Sequence, residues 1–177
     1  MSVTFRRATW QDTDLLLDWR NDPLTRKNSR ETRVFTRDEY IEKRLSGLFD
    51  GGNLCLIAQA AGDPVAVVMA RRCASATELS WTVAPRHRGK GYGCCAVRTV
   101  VQHLPRPLVA IIKADNPASQ HIATNAGFQL IRSEGDLQIW QIDGKDCVAG
   151  SLPILPDSEQ PTGMPDPATG VAWFDFD

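Results

Sequence analysis

A glycine-rich segment near the middle of the chain constrains its fold more than any other feature. Arg88-Gly89-Lys90-Gly91-Tyr92-Gly93 follows a strand-like apolar run, Leu79 to Ala84, and precedes a helix-like run from Cys94 to Leu104. A strand that breaks at glycines and continues as a helix presents unpaired backbone N–H groups at the positive end of the helix dipole. The sequence therefore predicts a phosphate-binding loop at a strand–helix junction.

The spacing of the glycines excludes two common phosphate-binding motifs. A P-loop has four residues between its glycines, followed by Lys-Ser or Lys-Thr, and the dinucleotide-binding motif is Gly-x-Gly-x-x-Gly. Here the third glycine, Gly93, comes one residue early, and Cys94 occupies the position that the dinucleotide motif gives to glycine. The loop therefore belongs to a different class.

Charge is unevenly distributed along the chain of 177 residues. Residues 146–177 hold six acidic residues and no Lys or Arg, so they carry −6 and the remainder carries +5, which gives the formal net charge of −1. A moderately basic body suits an anionic ligand. It is too mildly basic, and too poor in interleaved aromatic residues, to predict nucleic-acid binding.

The cysteines and the apolar segments indicate a cytoplasmic location. Five cysteines are an odd number without Cys-x-x-Cys spacing, so we expect reduced thiols and neither a disulfide framework nor a metal site. The N-terminus has no apolar signal region, and no later stretch is long enough to span a membrane, so we expect no membrane partner.

Apolar periodicity predicts the element order β-α-α-β-β-β-α-β-α-β-β. Helix starts are marked by Thr9 with Asp12, by Thr36 with Glu39, and by Asn116 with Pro117. Gly51-Gly52 and Gly127 are predicted to end helices. Gly62-Asp63 predicts a hairpin between strands 54–60 and 64–71.

Two motifs, in order, resemble those of the GNAT superfamily of N-acetyltransferases. Arg88-x-x-Gly91-x-Gly93 after a strand resembles the acyl-CoA pyrophosphate loop of this family. Lys113 to Ser119, with Asn116-x-x-Ser119, followed by Asn125-Ala126-Gly127-Phe128, resembles its second signature. The resemblance covers about Val3 to Ile142. It implies an α/β (α+β) fold with a mixed, mostly antiparallel sheet of about seven strands, a V-shaped splay and about four flanking helices.

The resemblance also implies acetyl-CoA as the cosubstrate and a set of residues that bind it. Backbone groups of β-strand residues 81–84 would pair with the pantetheine arm, and the N–H of Val83 would polarise the thioester oxygen. The expected coenzyme A contacts are Trp81, Thr82, Val83, Ala84, Arg88, Gly89, Lys90, Gly91, Tyr92, Gly93, Asn116 and Ser119. The alternative for Arg88, which we expect to contact phosphate, is a solvated loop residue, and the alternative for Asn116 is a helix cap.

Glu78 is the candidate general base, because many family members carry a glutamate at the start of this strand. The tyrosine with which many GNAT enzymes protonate the leaving thiolate is replaced here by Ala123. The general acid is therefore unassigned. His121 is expected to point elsewhere, and Cys94 and Cys95 are expected to be small core residues and not acyl carriers.

The N-terminal third would form the wall for the acceptor amine. The segment around Trp19-Arg20-Asn21 resembles two subgroups, one that acetylates nucleotide-linked amino sugars and one that acetylates ribosomal-protein N-termini. Arg20, Asn21 and Arg26 are the expected substrate contacts, although a solvated basic loop explains the same charges. The partner is thus a small-molecule or peptide amine. The alternative function is a catalytically silent acyl-CoA-binding regulatory module.

The chain divides into a GNAT domain, residues 1–145, and an acidic, proline-rich tail, residues 146–177. The composition of the tail does not allow it to form a packed unit by itself. Trp173-Phe174-Asp175-Phe176 is the expected anchor, docking on the body or on a partner subunit, and a homodimer that involves the tail follows as one arrangement.

Overall fold

The computed structural model describes residues 2–49 and 53–144. Its centre is a seven-stranded sheet with the order β1-β2-β3-β4-β5-β7-β6. The strands are β1 (Thr4–Arg7), β2 (Leu54–Ala60), β3 (Asp63–Arg72), β4 (Thr77–Val83), β5 (Leu108–Lys113), β6 (Gln129–Glu134) and β7 (Leu137–Ile142). Neighbouring strands are antiparallel except β4 and β5, which are parallel. The predicted mixed, mostly antiparallel sheet is confirmed.

The two parallel strands separate soon after they meet. β4 and β5 pair at only two positions, Thr77 with Leu108 and Glu78 with Val109. β4 then continues to Val83, paired on its other edge with β3, while β5 pairs with β7. The facing edges of β4 and β5 are therefore left open over most of their length, which is the predicted V-shaped splay.

Six α-helical segments flank the sheet in the described part of the chain. The N-terminal ones are α1 (Thr13–Asn21), α2 (Pro23–Lys27), α3 (Arg37–Tyr40) and α4 (Ser46–Phe49), of which α3 runs into α4 through a π-helical turn (Ile41–Leu45). The later ones are α5 (Tyr92–Val101) and α6 (Pro117–Ala126). The four helices predicted from sequence correspond to α1, the continuous α3–α4 stretch, α5 and α6. The short α2 was not predicted.

Local capping interactions fix the helix boundaries that the sequence predicted. The N–H of Thr9 donates to the Asp12 carboxylate at 2.8 Å, at the 3₁₀ turn that leads into α1. At the start of α6, the N–H of Ser119 donates to Oδ1 of Asn116 at 3.1 Å. Gly127 ends α6 with a φ of +95°, a backbone conformation that glycine adopts without the steric cost of a Cβ.

The sheet separates two hydrophobic clusters, because successive strand residues point to opposite faces. The cluster on the α5–α6 face includes Phe5, Leu56, Val68, Leu79, Val97, Val100 and Leu108. The cluster on the face of the N-terminal helices includes Leu16, Phe35, Tyr40, Leu45, Ile57 and Val67. A gap in the sheet therefore connects two differently built sides of the protein.

Some predictions fall outside the described residues. The helix end at Gly51-Gly52 and the docking of the tail, residues 146–177, both do. Within the described ranges, no helix is long and apolar enough to cross a membrane. The same ranges contain no group of three or more His, Cys, Asp or Glu side chains arranged to hold a metal ion.

Candidate active site

A cleft of about 620 Å³ occupies the gap between β4 and β5. Its wall is built from the N-terminal helices, β4, the glycine loop, β5 and the start of α6. The predicted site residues that line it are Arg20, Glu78, Trp81, Thr82, Val83, Arg88, Gly89, Gly91, Tyr92, Gly93, Asn116 and Ser119. The predicted residues that do not line it are Asn21, Arg26, Ala84 and Lys90.

The glycine loop leaves its backbone N–H groups available to a ligand. Gly89 and Gly91 have φ values of +74° and +79°, and Gly91 is the N-cap of α5. No described residue accepts a hydrogen bond from the backbone N–H groups of residues 89–91. The N–H groups in the first turn of α5 also have no partner within the helix. Beside an open cleft, these groups suit an anion such as a pyrophosphate.

Gly93 has a different role from the two preceding glycines. A Cβ at this position would lie 2.6 Å from Cδ1 of Ile122 and 2.9 Å from Cγ2 of Val83. Gly93 therefore allows α5, α6 and β4 to pack closely at the end of the cleft.

The backbone of β4 presents hydrogen-bonding groups to the gap at alternate residues. The N–H of Ala84 donates to the carbonyl of Val65 in β3, whereas the N–H of Thr77 donates to Pro107 on the β5 side. Because this direction alternates along an antiparallel strand, the N–H groups of Trp81 and Val83 face the gap. Ala84 itself is buried and directs its N–H to β3, which explains its absence from the cleft wall.

The two loop cations, Arg88 and Lys90, have different surroundings. The Arg88 guanidinium forms an ion pair with Asp22, the N-cap of α2, and donates to Oγ1 of Thr25 at 2.8 Å. Although burial raises the pKa of Asp22, its hydrogen bond with Arg88 holds the pKa below the usual value. Lys90 is exposed outside the cleft wall. The arginine that was expected to contact phosphate therefore links the loop to the N-terminal helices in this structure.

Asn116 and Ser119 lie together at the start of α6. Asn116 is buried, accepts the N–H of Ser119, and donates from Nδ2 to the Ser119 hydroxyl oxygen at 3.0 Å. The capping role of Asn116 is thus satisfied within α6, and both residues still border the cleft.

Glu78 lies where β4 and β5 begin to separate, on the face that the N-terminal helices cover. Its Oε1 accepts a hydrogen bond from Arg30 at 2.7 Å, and no described residue forms a hydrogen bond or an ion pair with Oε2. Arg71 of β3 is its register partner, on the same face. One oxygen of the candidate base is therefore held by a guanidinium, and the other is available in the cleft.

Arg20 is the only predicted acceptor contact on the cleft wall. One of its terminal nitrogens donates to the backbone carbonyl of Glu31, and the other, Nη1, is buried without an acceptor among the described residues. Burial lowers the pKa of Arg20, and the positive charge of Arg44 lowers it further.

Asn21 and Arg26 are instead used to hold the N-terminal segment together. The amide of Asn21 donates to the carbonyl of Phe35 at 2.9 Å and accepts from its N–H at 2.9 Å. Arg26 donates to the carbonyls of Asn21 and Thr32. Because these polar groups are occupied by backbone contacts, the structure does not bring either side chain to the cleft.

Two expectations about side chains near the cleft need correction. Cys94 and Cys95 are half-buried and not core residues, and Cys94 borders the cleft. The buried face of α5 is formed instead by Gly93, Ala96, Val97, Val100 and Val101. His121 is exposed, as expected of a surface histidine, but it also borders the cleft, which was not expected.

Several other polar groups on the wall belong to no sequence motif. Both ring nitrogens of His87 and the indole nitrogen of Trp81 are buried without a partner among the described residues. Tyr40 contributes a phenol whose pKa is raised by burial. Arg44 and Arg71 add two guanidinium groups. Only the sheet register and the helix packing bring these residues to one place.

Comparisons with known proteins agree with this geometry. The family model described as the acetyltransferase (GNAT) domain matches residues 2–129. No curated protein sequence matches the chain significantly.

Solved structures with the same fold share little sequence with the chain. The aminoglycoside acetyltransferase AAC(6')-Ib, in complex with ribostamycin and coenzyme A, is 18% identical with a TM-score of 0.65, over 80% of this chain and 92% of that one. A spermidine N-acetyltransferase from Vibrio cholerae, with coenzyme A and spermine, is 15% identical with a TM-score of 0.65, over 78% and 92%. A domain from Methanocaldococcus jannaschii is 18% identical with a TM-score of 0.68, over 80% and 97%.

A splayed sheet with a glycine loop at its opening defines an acyl-CoA-dependent transferase, and the family match covers most of this domain. The chain belongs to the GNAT acetyltransferase family. The cosubstrate of these enzymes is acetyl-CoA.

Proposed function

We propose that the protein transfers an acetyl group from acetyl-CoA directly to a primary amine, with Glu78 as the general base. The observation that carries this proposal is the juxtaposition of a loop with unused N–H groups and a carboxylate on one continuous cleft. Acetyl-CoA, when bound, supplies an activated acetyl thioester.

The backbone of the chain has the groups needed to hold and activate this thioester. The N–H groups of residues 89–94 bind the pyrophosphate, while Arg88 stays paired with Asp22 and Lys90 lies outside the cleft wall. Charge-assisted hydrogen bonds of this kind contribute about 1.5–3 kcal/mol each. The N–H of Val83, which faces the gap, stabilises negative charge on the thioester carbonyl oxygen, as oxyanion-hole donors do. Asn116 and Ser119 contact the pantetheine arm.

The position of Glu78 on the cleft wall supports its role as the general base. An amine with a lysine-like pKa is about one part in a thousand neutral at pH 7, which costs about 4–5 kcal/mol. The available Oε2 of Glu78 accepts the proton from the amine, directly or through a water molecule. Ala123 is fully buried in α6, so no hydroxyl stands at the usual position of the acid. We propose that water protonates the thiolate.

The acceptor that we favour is a nucleotide-linked amino sugar. Arg20 on the cleft wall supports it, since a guanidinium binds diphosphate oxygens well. A peptide N-terminus is the alternative acceptor. We place the reaction in the cytoplasm, where the free thiols of Cys55, Cys73 and Cys94 would stay reduced.

A silent acyl-CoA-binding module is the second candidate function. Two observations favour it: Arg30 already holds one oxygen of Glu78, and Ala123 provides no acid.

Release of thiol from acetyl-CoA in the presence of a panel of amines separates the two functions. We expect turnover, and a loss of kcat of about 10²- to 10⁴-fold in Glu78→Gln. Acetyl-CoA affinity should be unchanged in that variant. The matched control is Glu134→Gln, an exposed glutamate in β6 that pairs with Arg132 at 2.8 Å.

Two results would count against catalysis. If wild type and Glu78→Gln both bind acetyl-CoA and neither turns it over, the binding module is the better account. If Glu134→Gln loses as much activity as Glu78→Gln, the effect does not come from the cleft carboxylate.

A further inference from the structure

The cleft is strongly basic on the side of the N-terminal helices. Four guanidinium groups line this part of the wall: Arg20 from α1, Arg30 after α2, Arg44 from the π-helical turn, and Arg71 from β3. Among the described residues on the whole wall, Glu78 is the only acidic one. The acceptor half of the cleft thus has a large excess of positive charge.

Two of the four charges have a carboxylate partner. Arg30 pairs with Glu78 at 2.7 Å, and Arg44 pairs with Glu31 at 3.0 Å. Arg30 and Arg44 therefore each have a carboxylate partner within the protein.

The other two guanidinium groups form no direct ion pair among the described residues, although the Glu31 carboxylate lies close enough to Arg20 to favour its charge. Arg71 makes no side-chain hydrogen bond or ion pair there, although it is half-buried beside Glu78. Arg20 donates only to a backbone carbonyl, and its Nη1 is buried without an acceptor. A partly buried cation without a partner is costly, and such groups in a cleft are candidates for ligand binding.

The packing of Arg20 keeps its charge in place. Its guanidinium lies 4.8 Å from the centre of the Phe35 ring, and Arg33 and Arg44 lie near the same ring at 4.1 and 5.6 Å. The ring orients Arg20 but does not neutralise it.

The sheet separates these arginines from the loop proposed to bind the coenzyme A pyrophosphate. Arg71 and Glu78 are register partners, with their side chains on the face of the N-terminal helices. The glycine loop begins α5, on the opposite face. An anion bound by Arg20 and Arg71 would therefore lie next to the amine that Glu78 deprotonates.

We propose that the acceptor carries an anionic group, a phosphate or a carboxylate, which Arg20 and Arg71 bind in the cleft. This inference rests on the proposed function. Two of the similar solved structures hold ribostamycin or spermine, which are polycations. The acceptor proposed for this chain has the opposite charge, because guanidinium groups that form no ion pair would repel a polycation.

Calorimetric titration of the coenzyme A-saturated protein with inorganic pyrophosphate tests the anion site without turnover. Saturation fills the glycine loop, so that further binding reports on a second site. We expect pyrophosphate to bind, and Arg71→Gln to weaken it about tenfold or more, the loss of one charge-assisted contact. Arg71 has no structural partner to lose, so this variant should fold normally. A parallel titration with malonate distinguishes a carboxylate site from a phosphate site.

Arg72→Gln is the matched control for Arg71→Gln. It is the next residue of β3, is exposed, and points to the other face. We expect it to leave pyrophosphate affinity unchanged. Equal weakening in both variants would reveal a nonspecific charge effect and overturn the proposal, as would no binding of either anion to the wild type.

A kinetic experiment tests whether the anionic group of the acceptor also promotes turnover. It measures kcat/KM for glucosamine 6-phosphate and divides it by kcat/KM for glucosamine. We expect this ratio to exceed about ten in the wild type and to approach one in Arg71→Gln. A preference for spermidine over both sugars would overturn the proposal. Coenzyme A affinity, measured in every variant, shows whether the proposed function survives: a normal value with no anion binding rejects only the anion site.

Discussion

Gly91 meets two requirements of the loop at one residue. It holds a φ of +79° at the N-cap of α5, and its N–H is among those left for the ligand. A side chain here adds strain of about 1–3 kcal/mol in a left-handed conformation and brings bulk to the position where phosphate oxygens must approach the backbone.

We predict that Gly91→Val abolishes acetyl-CoA binding measured by calorimetry. Gly62→Val is the control, because Gly62 has a similar φ of +85° in the β2–β3 turn and does not line the cleft. It should lose comparable stability and keep its affinity. Unchanged affinity in Gly91→Val would refute the assignment of the loop.

The contacts of a single residue could be predicted from the sequence when its partner is a near neighbour in the chain. They could not be predicted when the partner is distant in sequence. Thr36 with Glu39, and Asn116 with Ser119, form their contacts within three residues, so sequence spacing reveals them. Arg88 pairs with Asp22, which is 66 residues away. A motif gives the position of such an arginine in the chain but not the carboxylate that its side chain binds.

At the scale of elements, the close approach of β4, α5 and α6 depends on the absence of a side chain at Gly93. The methyl group of an alanine would overlap Ile122 and Val83, at 2.6 and 2.9 Å. The end of Ile122 can rotate away, but Val83 lies on a strand that is fixed by its pairing with β3.

We predict that Gly93→Ala destabilises the protein by about 1–3 kcal/mol through overpacking, measured by urea denaturation. Ile122→Val, which removes the nearer methyl group, should restore part of this loss in the double variant. Full stability of Gly93→Ala alone would show that the three elements have room to separate.

Element order was predictable, since apolar periodicity and turn residues mark most boundaries. The pattern could not reveal α2 (Pro23–Lys27), because five residues are too few for a helical period to show. Nor could it reveal that Arg71 faces the base, because this depends on the register between β3 and β4. The contribution of Arg71 to the basic acceptor side therefore emerged only from the assembled sheet.

At the scale of the whole molecule, the question is where the acidic tail binds. We propose that residues 146–177 dock on the body or on a partner subunit. The edge strand β6 is exposed throughout, with Leu130 and Ile131 exposed by 46% and 51%. The tail also carries −6 against +5 for the rest of the chain, so that the two attract each other.

We predict that deleting Pro153 to Asp177 lowers the melting temperature by about 2–4 °C for each kcal/mol of lost docking energy, or changes the elution volume in size-exclusion chromatography. Acetyl-CoA affinity serves as the control that the cleft is intact. An unchanged melting temperature together with an unchanged elution volume would show that the tail neither docks nor assembles the protein.

We propose that the N–H groups of the glycine loop and of β4 bind the cosubstrate in the gap between β4 and β5. Hydrogen–deuterium exchange with and without saturating acetyl-CoA measures whether these groups are protected. We expect slower exchange in peptides that cover residues 88–94 and 79–84, with β1 unchanged as the internal reference. If exchange in the loop stays the same while acetyl-CoA is bound, these N–H groups do not hold the cosubstrate.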